Sequence, residues 1–150
     1  MQWKGVIPAG SVYNQPVISL DVYATALVAA GGATSVEPTL DGVNLLPHLR
    51  GESSAAPHES LYWRYVDRRA LRKGDWKLVQ EPSSLEAELY HLAEDIAESR
   101  NLAKEMPGKL REMEEAYRAY DLQMEDVTWV NLHTADRLRK EGKWPLKTMK

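Results

Sequence analysis

Ala70-Leu71-Arg72-Lys73-Gly74-Asp75-Trp76-Lys77-Leu78-Val79 is the stretch whose reading decides the fold. Short apolar and aromatic runs on either side of Lys73-Gly74-Asp75 suit strands, and the connection is short enough for a hairpin. Upstream, Leu61-Tyr62-Trp63-Arg64-Tyr65-Val66 has the same character; downstream, so does Leu89-Tyr90-His91-Leu92. Together they predict an antiparallel meander of about four strands. Beyond it, Pro107 opens a long helix, where its missing N–H matters least. Leu110, Met113, Tyr117, Tyr120 and Met124 then recur at 3-4 spacing, which makes one apolar seam. A sheet with an apolar face needs cover. The seam is therefore expected to bury against alternate residues of 61–66 and 76–79.

Residues 2–18 hold Pro8, Gly10 and Pro16 between short apolar pieces and read as a strand end and extended loop. Ser19 suits an N-cap. Leu20, Tyr23, Ala24, Leu27 and Val28 share one helical face, and Gly31-Gly32 can end that helix, placing it at about 19–31. Asp41-Gly42 is a turn signal. Asn44 can cap a short helix over about 45–50, with Pro47 in its first turn and Gly51 closing it.

The chain has 150 residues, 43% hydrophobic and 27% charged, which are globular values for about one domain. A net charge of −3 gives no reason to expect nucleic acid. Residues 1–127 carry a net −7 and residues 128–150 a net +4, so the chain ends in a basic tail expected to be solvated. There is no cysteine, which excludes disulfides, zinc–thiolate sites and thiol catalysis. No apolar run reaches the roughly 18–20 residues of a membrane span. Met1-Gln2-Trp3-Lys4-Gly5 is not of signal-peptide type.

Four phrases in fixed order carry a resemblance. They are Ser19-Leu20-Asp21, Leu40-Asp41-Gly42-Val43-Asn44-Leu45-Leu46-Pro47, Arg72-Lys73-Gly74-Asp75-Trp76-Lys77-Leu78, and Leu89-Tyr90-His91-Leu92 leading to Glu98 and Asn101-Leu102. Trp3-Lys4-Gly5 with Ile7-Pro8-Ala9-Gly10 adds a fifth, in which Lys4 stands where a proline is usual. Ala24 and Ile96 likewise stand in place of usual prolines. Over about residues 1–127 the chain resembles the C-terminal part of a type I sulfatase, an arylsulfatase-like enzyme of the alkaline-phosphatase superfamily.

The resemblance implies an α+β arrangement. Residues 1–51 would be the C-terminal edge of the large sulfatase α/β domain, an otherwise missing domain whose last helix is present. Residues 52–127 would be the small C-terminal subdomain, a sheet of about four strands on one long helix, and 128–150 the basic tail. Met1 would be an internal methionine of a longer reading frame. The implied parent activity is hydrolysis of sulfate esters on aryl or carbohydrate substrates, using calcium and a formylglycine made within a Cys/Ser-x-Pro-x-Arg motif. No serine here has proline two residues later. Nucleophile and metal ligands would lie in the missing N-terminal sulfatase domain, which becomes the expected partner. The chain alone is expected to be inactive, with no catalytic and no metal residues of its own. The family is often periplasmic, secreted or lysosomal, and the compartment stays open. Two alternatives stand beside this reading: a non-catalytic glycan-binding or interaction module, and a fragment of a related phosphodiesterase or phosphonate hydrolase.

Among local groups, Arg64-Tyr65-Val66-Asp67-Arg68-Arg69 has the best functional claim, and Arg64 and Arg68 are the candidate contacts to an anionic sugar. His48, His58, His91 and His133 lack the i+3 or i+4 pairing of a helical metal site. His91 reads as a structural strand residue, Asp41 as a turn residue, and Glu98 and Asn101 as ties of a loop backbone. Glu114-Glu115 read as a solvated helix face. Trp63, Trp76 and Trp129 could stack on a sugar, and Trp63 and Trp76 read as core.

Overall fold

The hairpin around Gly74 is present in the computed structural model, which describes residues 1–34, 39–66, 68–81, 86–125, 130 and 132–142. β2 (Arg68–Lys73) and β3 (Trp76–Gln80) pair antiparallel with Lys73 opposite Trp76. The connection is Gly74-Asp75, and Gly74 at φ +58° takes the left-handed conformation that a two-residue hairpin loop demands. β1 (Ser60–Tyr65) and β4 (Glu88–His91) flank them in the order β1-β2-β3-β4, a four-stranded antiparallel meander. Registers place Tyr62, Leu71, Leu78 and Leu89 side by side in one row across the sheet. Successive strand residues alternate faces, so this row defines the apolar side.

α3 (Pro107–Asp121) supplies the cover. Met113 and Tyr117 are buried in one cluster with Leu71, Leu78, Ala87 and Leu89, and Leu110, Tyr120, Tyr62 and Trp76 pack against its edge. Thus four members of the expected seam meet the sheet. Met124 does not: the helix ends at Asp121, and Met124 lies exposed beyond it. Trp63 is also not core. It points to the face opposite the Leu71 row and is 40% exposed.

The chain divides into two units, Met1–Glu59 and Ser60–Lys150. The basic segment is more than a solvated tail: it contains α4 (Leu132–Lys140), in which Ala135 and Leu138 are buried. Trp129, Asp67 and the side chain of His133 lie outside the described residues.

In the first unit, residues 1–18 are turn and loop; the strand end expected there is absent. α1 (Leu20–Ala29) forms as expected, but its inward face is only partly the expected one: Ala24 is buried and Leu27 and Val28 are half-buried. Asp21, Ala24 and Thr25 are buried, while Leu20 and Tyr23 are exposed, Tyr23 at 63%. Ser19 makes no side-chain cap. Asp21, in the first turn, instead reaches back to accept the N–H of Ile18, the residue before the cap (2.8 Å). α2 (Leu46–Leu49) follows with Pro47 at its start, and Asn44 Oδ1 accepts the Leu46 N–H (3.0 Å). Gly42 lies so close to α1 that a Cβ there would sit 2.2 Å from Leu20 O and 2.8 Å from Asp21 N. Close backbone approach, rather than turn geometry, requires glycine at this position.

Candidate functional site

Asp21 and Thr25 stand four residues apart, hence on one face of α1. That polar pair explains why Leu20 and Tyr23 turn outward. Asp21 Oδ1 accepts the Val43 N–H (2.9 Å) and Thr25 Oγ1 accepts the Leu45 N–H (3.0 Å), which binds the 43–45 segment to α1. His58 Nε2 lies 2.9 Å from both carboxylate oxygens of Asp21. Burial alone would raise the Asp21 pKa. The Ile18 and Val43 N–H groups and His58 outweigh it, so the carboxyl is held below its ordinary range. Three segments of the first unit thus converge on one ionised, fully buried carboxylate. With Nε2 committed to Asp21, the pair is a clasp that fixes backbone.

The second unit has its own buried acid. Asp121 Oδ1, at the C-terminal end of α3, accepts from Tyr62 OH (2.6 Å) and from Arg64 Nη1 (2.8 Å), with Tyr117 OH 3.3 Å away. Arg64 also donates to the Glu125 carbonyl. Burial, then the bond to Asp121, pushes the Tyr62 hydroxyl far above its usual range. Burial also raises Tyr117. Arg69 Nε donates to Gln80 Oε1 (2.6 Å), and its guanidinium sits 5.2 Å from the Tyr117 ring centre.

The two candidate contact residues are therefore placed differently. Arg64 has a side chain only 15% exposed and is bound to the end of α3. Arg68 is 57% exposed at the start of β2, with Nε 3.0 Å from Glu81. They are not brought together in one cleft: strand alternation puts Arg64 on the α3 side and Arg68 on the opposite face, beside Tyr65 in register.

The loop after β4 is tied as expected. Asn101 Oδ1 accepts the Leu89 (3.1 Å) and Ala103 (2.9 Å) N–H groups, and Lys77 Nζ donates to Glu98 at 2.5 Å. His91 ends β4 with its ring 4.5 Å from that of Trp76, a packing position. Asp41 is exposed, and the segment it opens is held by Asp21 instead. The sequence reading missed Asp21, Thr25 and His58. Their available signal was an i, i+4 polar pair inside an otherwise apolar helix.

Calcium and formylglycine, implied by the resemblance, do not fit these residues. No cysteine and no Ser-x-Pro exist to become the aldehyde. Among the described residues no three His, Cys, Asp or Glu side chains gather as metal ligands.

Comparison with known proteins gives the kinship. No protein-family profile matches the chain. Human Arylsulfatase H is 39% identical over 61 residues, which is 41% of this chain and 11% of that protein. The uncharacterized sulfatase YdeN of Escherichia coli K12 is 25% identical over 179 aligned positions, covering 93% of this chain and 32% of that protein. The crystal structure of Ps i-CgsB superposes over 95% of this chain and 33% of its own, with TM-score 0.74 at 21% identity, which speaks to fold alone. BT1596, a 2-O GAG sulfatase, superposes over 69% of this chain and 24% of its own, with TM-score 0.57 at 28% identity. The chain thus spans between a tenth and a third of the length of these relatives. It is a homologue of the type I sulfatases and matches the C-terminal part of those enzymes.

Proposed function

We propose that this chain serves as the C-terminal part of an enzyme that hydrolyses sulfate esters of aryl or carbohydrate compounds, and that it is inactive without the large domain. The observation that carries the reading is the identity to Arylsulfatase H over the 61 aligned residues, in a chain spanning only 11% of that protein. The 2-O GAG sulfatase likeness supports a carbohydrate as one substrate class. Nucleophile and calcium come from the large domain in this reading, since the residues here fit neither. That domain also supplies cover for the exposed Leu20, Val22 and Tyr23 of α1.

In the complete enzyme, Arg68 contacts the anionic substrate. Its exposure and its strand-edge position beside Tyr65 support this role. Arg64 shapes the same hairpin through Asp121 rather than reaching out. The test is an assay of the purified chain, made in a host lacking sulfatases, with a chromogenic aryl sulfate and calcium. We expect no turnover above a mock purification. Turnover above that level would overturn the assignment of the chemistry to the large domain.

A further inference from the structure

The two edges of the sheet are treated differently. In the central hairpin Lys73 and Trp76 flank a two-residue loop and bond each other, so inward and outward backbone groups alternate from there across every strand. On β4 this sends the N–H and C=O of Leu89 outward. Asn101 Oδ1 accepts the first (3.1 Å), and the Leu102 N–H donates to the second (2.8 Å), so that edge is closed. On β1 the residues facing Arg68, Ala70 and Arg72 are Tyr65, Trp63 and Leu61. The same alternation therefore sends out the N–H and C=O of Tyr62 and Arg64. Among the described residues no backbone group bonds to either pair. Such an edge is a template for a further strand. β1 also carries two exposed aromatic side chains, Trp63 and Tyr65, on the face away from α3.

The strand that fits this edge best is β1 itself. Antiparallel self-pairing about a two-fold axis at Trp63 sets Tyr62 opposite Arg64 of the second copy, and Arg64 opposite its Tyr62. Those are the residues whose backbone groups point outward. Trp63 then faces its own copy and Leu61 faces Tyr65, so every apolar side chain on the face away from α3 meets another. Moving the axis on to Arg64 would oppose like charges. It would also draw in Val66, whose φ of +60° takes it out of the strand. Moving the axis back to Tyr62 leaves Tyr65 outside the paired span. We propose that β1 is a homodimer interface, at which two copies of this chain join their four-stranded meanders antiparallel into one continuous sheet, with Trp63 on the two-fold axis. This interface belongs to the sheet unit and needs neither the α1 face nor the activity proposed above.

The chain has no cysteine, so one introduced thiol reports on one position without background. Directly opposed residues of a non-hydrogen-bonded pair have Cα atoms about 4.5 Å apart, within the roughly 4.4–6.8 Å that a disulfide spans. The two copies of Tyr65 would stand far apart along the strands, at roughly 13 Å. The test uses the full chain carrying Leu20→Glu, which keeps the α1 face out of the measurement, and adds Trp63→Cys or Tyr65→Cys. Both positions are exposed, and each variant is checked for an unchanged thermal transition. Under copper–phenanthroline oxidation in air, Trp63→Cys should cross-link into dimers about tenfold faster than Tyr65→Cys. The cysteine-free Leu20→Glu chain should sediment as a dimer. Adding Trp63→Lys to it should weaken that dimer about tenfold, through a lost aromatic pair and two opposed like charges. Sedimentation of the Leu20→Glu chain as a monomer, equal cross-linking at the two positions, or a dimer indifferent to Trp63→Lys would overturn the proposal.

Discussion

In Ser60–Lys150 the most deeply buried side chains include Leu71, Leu78, Leu89 and Met113, whereas in Met1–Glu59 Ala24 shares complete burial with a carboxylate, Asp21. The first group forms a sheet–helix core whose stability comes from apolar area removed from water, at roughly 25 cal/mol per Å². The second is organised by hydrogen bonds to Asp21 and Thr25, while Val12, Val22 and Tyr23 lie open, Val12 at 81%. A buried acid also appears in the sheet unit, but Asp121 sits at the margin of an existing core. The difference teaches that one unit carries its own hydrophobic reason to fold. The other relies on a polar clasp and keeps its apolar surface for something else.

The sharpest way to break this comparison is Met113→Asp. An unpaired charge in that cluster should destabilise the sheet unit by several kcal/mol, on the order of 3–5, and abolish its cooperative thermal transition. An unchanged melting temperature would remove the claim of a self-contained core.

Next in size is Asp21→Ala, which leaves the Ile18 and Val43 N–H groups without their acceptor at about 1–3 kcal/mol each. Hydrogen exchange should quicken across 18–46 and stay slow at Leu71, Leu78 and Leu89. Equal acceleration in both units would merge what the comparison separates. Acid should act in the same place. The Asp21 pKa is lowered in the fold, with burial opposing and the backbone donors and His58 prevailing. Its contribution is therefore complete above the ordinary aspartate value of about 4 and lost as pH falls below it.

Alkali should act on the other unit. Burial and the Asp121 bond raise Tyr62, burial raises Tyr117, and burial with the Glu88 bond lifts Tyr90 to about 12. Hydroxyls held neutral in the fold stabilise it below the unfolded tyrosine value of about 10, and that stability drains as pH climbs from there through the folded values. Circular dichroism against pH should show the sheet unit weakening above about pH 10, and Tyr62→Phe should lessen the slope. A slope identical in the variant would detach Tyr62 from the effect.

The smallest effect is expected from Leu20→Glu. Leu20 is half exposed, so stability should change by no more than about 0.5 kcal/mol. Self-association measured by sedimentation should fall, because an open apolar patch favours association. A parent chain that sediments as a monomer would show that this face needs no cover.

The sheet unit was legible because its signals were local. Alternation, a Gly-containing turn and a 3-4 seam each depend on neighbours in sequence, and the Tyr62-Leu71-Leu78-Leu89 row follows from them. In the first unit the two helices were legible and the bonds that join them were not. Its decisive bonds join Asp21 to Val43 and His58, 22 and 37 residues away. Apolar counting over α1 selected Leu20 and Tyr23, and a long-range polar demand turned them outward. The candidate contacts fared similarly: the charge-rich run was visible, but alternation across β1 and β2 sends Arg64 and Arg68 to opposite faces. Asp121, which holds Arg64, came from a helix end some 57 residues later.

Gly42 bears on which descendants of this chain can survive. A Cβ there would meet the Leu20 carbonyl at 2.2 Å and its carbon at 2.4 Å, and both are backbone atoms that cannot swing aside. Every codon change that alters the residue therefore pushes the 43–45 segment off α1, and the donors gathered on Asp21 and Thr25 lose their acceptors together. The exposed Asp41 next to it bears no such constraint. Position 41 can therefore accept side chains that position 42 cannot, so a single hydrogen atom on one α-carbon sets how closely this segment and α1 can approach.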